Sequence, residues 1–264
     1  GWRGILGVVA AFTGLLVVLV LLWVPESLPA ERRHDGGLRI LLDGTRELAR
    51  DHVLVRLLFI NALSFGLLMA YLSAAPFVLR NVLGMGTVAY TAVFGLCGAT
   101  VTVTIAVAAS LVRRFSQARQ VRVGLIAGLV VDTVFAGVCL MWLREPVTGP
   151  ERMPLLVAVV ALFLAHVACL GLSMGNAPAL ALDRTGRWAG TGSALLGFLQ
   201  FVVGGLVSPL VGLTGEASGV AFGVVIVAVG AVANVLAVFG LRERGEKQRL
   251  AAQVTECRQQ RLGQ

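Results

Sequence analysis

The sequence predicts an all-α, polytopic membrane protein with seven transmembrane helices. Three observations support this prediction: the length of the apolar runs, the scarcity of charged residues, and arginines that gather in alternate connectors. Each run has about 20 residues or more, enough for a helix rising about 1.5 Å per residue to cross roughly 30 Å of hydrocarbon. The seven runs are residues 5–24, 57–79, 87–112, 123–143, 155–174, 188–213 and 220–241.

The composition excludes an ordinary soluble domain. The chain is 57% hydrophobic and 14% charged, with a mean hydropathy of +0.87. These few polar residues cannot cover the surface of a 264-residue soluble protein. The net charge of +8 does not indicate nucleic-acid binding, because the basic residues lie in the connectors between the runs. We therefore expect the lipid bilayer, and no nucleic acid, as a partner.

The distribution of arginine and lysine predicts the topology. Of the 22 basic residues, 18 lie in the first, third and fifth connectors and the C-terminal tail. The opposite side carries only Arg3, Arg80, Arg144 and Arg152. Since basic residues stay in the cytoplasm, we expect a multi-pass protein of the cell (inner or plasma) membrane, with its N-terminus outside and its C-terminus in the cytoplasm.

The connector lengths predict four segments: a transmembrane helix at 1–24, a cytoplasmic linker at 25–53, a six-helix transmembrane bundle at 54–241 and a basic cytoplasmic tail at 242–264. From Leu38 the linker is amphipathic, which fits either a helix on the membrane surface or a solvated linker. An odd number of spans that begins abruptly at Gly1 suggests a part of a larger protein, and a cleaved signal peptide is the alternative.

Small residues four positions apart recur in the spans. Such pairs let helix backbones approach closely in lipid, so they predict a tightly packed bundle. The clearest pairs are Gly124/Gly128 and Gly171/Gly175, followed by Gly95/Ala99, Ser193/Gly197 and Gly204/Ser208.

Three spans carry stripes of polar or small residues. In the order of the chain the stripes are Asn61, Ser64 and Tyr71; His166, Cys169, Ser173 and Asn176; and Ser193, Gly197, Gln200, Gly204 and Ser208. Polar groups are costly in hydrocarbon, so these stripes predict either a shared wet cavity or hydrogen bonds between helices. Pro76 lies near one end of the first of these helices and is expected to loosen it.

Two titratable residues lie within the apolar runs and are candidate proton-binding groups. Asp132 is in the middle of its run, where a carboxylate costs roughly 2.5–3.5 kcal/mol, and no lysine or arginine in a run offers a partner. His166 has an intrinsic pKa near neutrality, which suits proton exchange. For both residues a purely structural hydrogen bond is the alternative.

The sequence does not predict an enzyme, a cofactor or a metal site. It contains no P-loop, no nucleophile elbow, no dinucleotide-binding glycine motif after a strand, and no Cys/His spacing for a metal. Three of the four cysteines lie within spans, where small buried side chains are their ordinary role.

Several strings resemble drug transporters of the major facilitator superfamily, and in particular the Bcr/CflA-type multidrug branch. Residues 1–3 and 24–29 resemble the sixth helix and the start of the linker after it, although Ser27 replaces a threonine. YLSAAPFVL at 71–79 resembles helix seven, and LVRRF at 111–115 with Arg119 resembles the basic turn between helices eight and nine. The most specific string, GNAPALAL at 175–182 followed by AGTGSALLGFLQ at 189–200, is similar to the region from helix ten to helix eleven.

The resemblance implies a chain equivalent to helices six to twelve of a twelve-helix fold, with the first five helices as a missing partner. It also implies proton-coupled efflux of small drug-like molecules by alternating access, for which the chain alone is expected to be inactive. Coupling carboxylates in such antiporters usually lie in the N-terminal half, and Asp132 would fall in a peripheral helix. The implied substrate-cavity residues are Asn61, Phe65, Tyr71, Asn176, Phe198 and Gln200.

Two other functions fit seven spans with these orientations: a seven-helix receptor and a membrane subunit that only docks on a partner. A retinal protein is excluded because the single lysine, Lys247, lies in the tail and not in a span. The substrate, the coupling ion and the oligomeric state do not follow from the sequence.

Overall fold

The computed structural model describes residues 1–24, 37–213 and 218–239, except for the side chain of Leu38. The predicted tail at 242–264 and the larger part of the predicted linker therefore lie outside the described residues. The helices are α1 Trp2–Trp23, α2 Leu38–Leu48, α3 His52–Pro76, α4 Thr87–Leu111, α5 Gln117–Trp142, α6 Arg152–Leu182, α7 Ala189–Leu210 and α8 Val220–Phe239. All except α2 are long and apolar enough to span a membrane, and the described ranges contain no strand. The predicted fold class is confirmed.

The chain forms two compact units, residues 1–41 and 42–264. The first unit contains α1, in which no residue is buried. Nearly every residue of α1 is apolar, on all sides of the helix, which is the composition of a membrane span.

In the second unit α6 is the central helix of the bundle. It packs against α3, α4 and α5 and touches α7, while α3 also packs along α7. The last helix, α8, lies against α5: the side chain of Asn234 donates a 2.9 Å hydrogen bond to the carbonyl oxygen of Leu125. Because α6 has neighbours on several sides, its polar residues face protein rather than lipid.

Four aromatic rings fill the core between α3, α5, α6 and α8. The ring of Phe163 lies 5.2 Å from Tyr71, 4.9 Å from Phe135 and 5.8 Å from Phe222, measured between centroids. Two of these contacts are edge-to-face, the geometry that favours aromatic pairs beyond simple burial.

Pro76, which was expected to loosen α3, is the last residue of that helix, and the chain does not leave the helical path after it. A π-helical turn, Phe77–Val82, follows directly, and the amide of Leu83 donates to the carbonyl oxygen of Val78 at 3.0 Å. Proline removes one N–H from the ladder, and the wider turn pairs the backbone groups that follow it.

The helix α2 begins at Leu38, where the amphipathic pattern predicted it, and its second half docks on the bundle. Leu48 is buried, and a Cβ built on Gly44 would lie 2.7 Å from the indole of Trp188. Glu47 forms a 2.6 Å ion pair with Arg187. The hydrogen bond from Arg187 holds the pKa of Glu47 below its ordinary value. From Leu42 onward α2 therefore makes specific contacts with the connector between α6 and α7.

Asp51 begins α3 and also ties it to the end of α6. Its carboxylate accepts hydrogen bonds from the amides of Val53 at 3.0 Å and Leu54 at 3.1 Å, which is N-cap geometry. It also forms a 2.6 Å ion pair with Arg184. Partial burial acts to raise the pKa of Asp51, but the hydrogen bonds from Arg184 and the two amides outweigh it and hold the pKa below its ordinary value.

Replacing Asp51 is expected to give a destabilisation that depends on pH. The lowered pKa stabilises the fold above about pH 4, and this contribution is lost as the pH falls through the folded pKa. At pH 7, Asp51→Ala should reduce the free energy of unfolding by about 0.5–2 kcal/mol. Asp51→Asn keeps a good cap and removes only the ion pair, which should cost about 0.2–1 kcal/mol. Thermal unfolding in detergent at pH 7 and pH 3 measures both effects.

The matched control for Asp51 is Asp43→Asn, at an exposed carboxylate of α2, which should leave unfolding unchanged. An Asp51→Ala effect of equal size at both pH values would contradict a role for the ionised carboxylate.

Candidate functional site

A row of polar and small residues forms the contact between α5 and α6, and we call it the α5–α6 seam. On α5 the seam consists of Gln120, Gly124, Gly128 and Asp132, and on α6 of His166, Cys169, Ser173 and Asn176. The α5 members are four residues apart, so they lie on one face of that helix. The seam thus combines one of the predicted glycine pairs with both candidate proton-binding residues.

Glycine makes the close approach of the two helices possible. A Cβ built on Gly124 would lie 2.9 Å from the carbonyl oxygen of Cys169 and 3.0 Å from the hydroxyl oxygen of Ser173. No side chain fits at Gly124 unless the helices separate. The approach brings the polar side chains on either side of Gly124 within hydrogen-bonding range of α6.

Asp132 and His166 form a direct pair in the centre of the seam. Asp132 Oδ1 and His166 Nδ1 lie 2.5 Å apart, and each residue is 1% exposed. The partner that Asp132 lacked in the sequence is therefore a histidine on the next helix. An aspartate and a histidine therefore share one hydrogen bond here, away from bulk water.

A small cavity adjoins this pair and has further polar lining. Its volume is about 10 Å³, which leaves room for about one water molecule. Its lining includes Asp132, His166, Ser173 and Gly230. Among the residues that the structure describes, His166 Nε2 and the Ser173 hydroxyl find no hydrogen-bonding partner although both are buried. Buried polar atoms of this kind are commonly satisfied by an internal water, and the cavity has room for one.

A second polar contact joins α3 and α7. The side-chain amide of Asn61 donates to Gln200 Oε1 at 3.3 Å, and the hydroxyls of Ser73 and Ser208 lie 2.5 Å apart. The ring of Phe65 packs edge-on against Phe201, with 5.2 Å between centroids. Asn61, Phe65 and Gln200 therefore lie together at this contact.

The other predicted cavity residues lie elsewhere. Tyr71 packs on Phe163 and stacks on Phe94, with 6.0 Å between the ring centroids, in the aromatic core. Asn176 donates to Gln120 Oε1 at 3.3 Å and so belongs to the seam. Phe198 is 64% exposed. Members of the three polar stripes are thus found in three places: the α3–α7 contact, the aromatic core and the α5–α6 seam.

Reasoning from the sequence missed Gln120 and Asn234 as site residues. Gln120 was recognisable, because the spacing of Gly124 and Gly128 extends in both directions to Gln120 and Asp132. Asn234 interrupts the last apolar run and was overlooked. It donates 2.9 Å hydrogen bonds to the carbonyl oxygens of Leu125 and Gly230, next to the cavity.

Comparison with known proteins identifies the family. The profile of the Major Facilitator Superfamily matches residues 1–209. The chain belongs to the major facilitator superfamily. It is 27% identical over 244 residues to an uncharacterized MFS-type transporter, YdgK, of Bacillus subtilis (strain 168). The match covers 91% of this chain and 56% of that relative, so the chain spans about half the length of the curated relative that it matches.

No solved structure matches the chain. Membership in the superfamily agrees with the seven apolar helices long enough to span a membrane. The seam and the α3–α7 contact hold most of the buried polar side chains within the described helices, so we take them as the candidate functional sites.

Proposed function

We propose that this chain is part of a proton-coupled transporter that exports small drug-like molecules by alternating access. The observation that supports proton coupling is the buried pair of Asp132 and His166 in the α5–α6 seam. An intramembrane pair of titratable residues is expensive, so a role in holding a proton is a physical reason for its presence.

The proposed substrate path runs along the α3–α7 contact. Asn61 and Gln200 offer hydrogen-bonding groups there, and Phe65 offers an aromatic surface, a mixture that suits small amphipathic molecules. Tyr71 in the aromatic core, Asn176 in the seam and the exposed Phe198 on α7 enter the proposal only by family resemblance. The exposed faces of α4 and α7 are where we place the missing five helices.

In this proposal the protonation state of the pair and the binding of substrate favour different orientations of the bundle. When the pair gains a proton, its hydrogen bonding and charge change, and the packing between α5 and α6 responds. Because α6 also packs on α3, the change reaches the helix that carries Asn61. The arginine bias supports a cytoplasmic location for the end that holds α2 and the α6–α7 connector.

Transport measurements with Asp132→Asn test the coupling. The chain is co-expressed with the part of the Bacillus subtilis relative that lies outside the matched region, and inside-out vesicles are given a pH gradient and a cationic dye. Dye uptake should dissipate the gradient with the wild-type chain, and Asp132→Asn or His166→Gln should abolish this dissipation. Both substitutions preserve size and hydrogen bonding, so the folded chain should persist.

Two controls separate the parts of the proposal. Asp43→Asn, a change of an exposed carboxylate, should leave coupling intact. Asn61→Ala should weaken the apparent affinity for the dye, while dye uptake still dissipates the pH gradient. If dye uptake still dissipates the pH gradient in Asp132→Asn, Asp132 does not couple transport to protons. If this chain transports dye alone, it does not need the five further helices.

A further inference from the structure

A groove opens where the end of α4, the start of α5 and the side of α6 meet. Its volume is about 280 Å³, and it is lined by Leu111, Phe115, Arg119, Gln120, Val123 and Leu172. The walls are apolar, apart from one guanidinium and one side-chain amide. A ligand that matches this lining needs both an apolar part and an anionic or strongly accepting group.

Of the two polar side chains, Arg119 is exposed and charged, whereas Gln120 is buried and already bonded. Gln120 donates to the carbonyl oxygen of Phe115 at 3.2 Å and accepts from Asn176, so it serves as a wall. The guanidinium of Arg119 lies over the ring of Phe115, 5.1 Å from its centroid, and has no carboxylate partner among the described residues. Stacking on a ring occupies the face of a guanidinium and leaves its N–H edge available.

The surroundings of the groove are strongly basic. Arg113, Arg114, Arg119 and Arg122 fall within ten residues, and no aspartate or glutamate occurs between positions 84 and 131. The charge of the α4–α5 connector therefore attracts an anion to the mouth of the groove.

We propose that the groove binds one anionic phospholipid of the membrane leaflet at this end of the bundle. The headgroup phosphate lies against Arg119, and one acyl chain covers Leu111, Val123 and Leu172. The apolar residues beside the groove support this occupant, since Val107, Val123 and Ile126 are each about half exposed on helices that span the membrane. A free phosphate would use the guanidinium but not the apolar walls.

Native mass spectrometry of the detergent-purified chain tests the proposal. The chain is mixed with dioleoyl phosphatidylglycerol or with dioleoyl phosphatidylcholine, and the lipid-bound fraction is measured as the collision energy rises. We expect one phosphatidylglycerol molecule to be retained in preference to phosphatidylcholine. Arg119→Gln should lower its retention about fivefold, which is the order of effect of one arginine beside an anionic lipid.

The matched control is Arg122→Gln, an equal change of charge at an exposed arginine that does not line the groove. It should leave retention unchanged, while Val123→Trp should lower retention by filling the groove without altering charge. Equal losses in Arg119→Gln and Arg122→Gln would overturn the proposal in favour of diffuse attraction. Equal retention of both lipids, or displacement by millimolar inorganic phosphate, would overturn it as well.

Discussion

His166→Leu is expected to reduce the free energy of unfolding of the bundle by about 3–5 kcal/mol. The substitution leaves Asp132 buried at 1% exposure without its hydrogen-bonding partner, and an unpaired polar group in a dry contact between helices is costly. The double variant Asp132→Leu/His166→Leu removes both groups and should recover most of the loss, since apolar residues of similar size often replace a buried pair at little cost. Reversible unfolding in mixed micelles is measured for four proteins: the wild type, Asp132→Leu, His166→Leu and the double variant.

The control for this cycle is His52→Leu, at an exposed histidine where α3 begins, and we expect little effect. The informative quantity is the coupling energy between the two positions in the double-mutant cycle. If the effects of Asp132→Leu and His166→Leu simply add, the two side chains do not act as a pair, and the proton role proposed for them loses its structural basis.

Gly124→Ala is expected to destabilise the bundle by about 1–3 kcal/mol, whereas Gly128→Ala should be neutral or slightly stabilising. A Cβ at Gly124 meets the carbonyl oxygen of Cys169 at 2.9 Å, and backbone can move away only if the helix moves. A Cβ at Gly128 meets only the Cβ of Cys169 at 3.5 Å, an ordinary contact, and alanine is the better helix former. Thermal unfolding of the two variants in the same detergent measures the difference.

The second glycine pair provides a repeat of the experiment at another contact. A Cβ at Gly171 would lie 2.7 Å from the Cβ of Thr104 on α4, while the nearest atom to a Cβ at Gly175 is the Cγ2 of Ile105 at 3.5 Å. Gly171→Ala should therefore be the damaging change and Gly175→Ala the tolerated one. Equal effects at the two members of either pair would show that the spacing of the motif matters and the contact geometry does not.

Much of the fold followed from local sequence. The seven apolar runs are found as seven helices, the hydrogen-bond ladder loosens to a π-helical turn after Pro76, and the amphipathic pattern placed the start of α2 at Leu38. Each of these features depends on residues within one segment. The docking of α2 was not predicted, because it depends on Trp188 and Arg187, which lie more than 130 residues away in the chain.

The sequence predicted several of the residues that form the candidate site, but it did not predict how they are paired. Asp132, His166, Asn61 and Gln200 were recognised as polar residues in apolar surroundings, each with a structural alternative. The structure pairs Asp132 with His166 and Asn61 with Gln200, and it places Asn176 in the seam beside Gln120. Their roles in transport stay predictions.

The sequence by itself determined the class of the protein, the approximate positions of the seven spans found among the described residues, and which polar residues in those spans need a partner. The physical reason is that in hydrocarbon a segment satisfies its own backbone, so hydropathy over about 20 residues is sufficient to specify a span. Only the tertiary structure decided which polar side chains form hydrogen bonds with each other. It also decided which glycine of the pairs Gly124/Gly128 and Gly171/Gly175 has no room for a Cβ. Those outcomes depend on the rotation and vertical register of neighbouring helices, which a few close contacts such as that of Gly124 with Cys169 set across long stretches of chain.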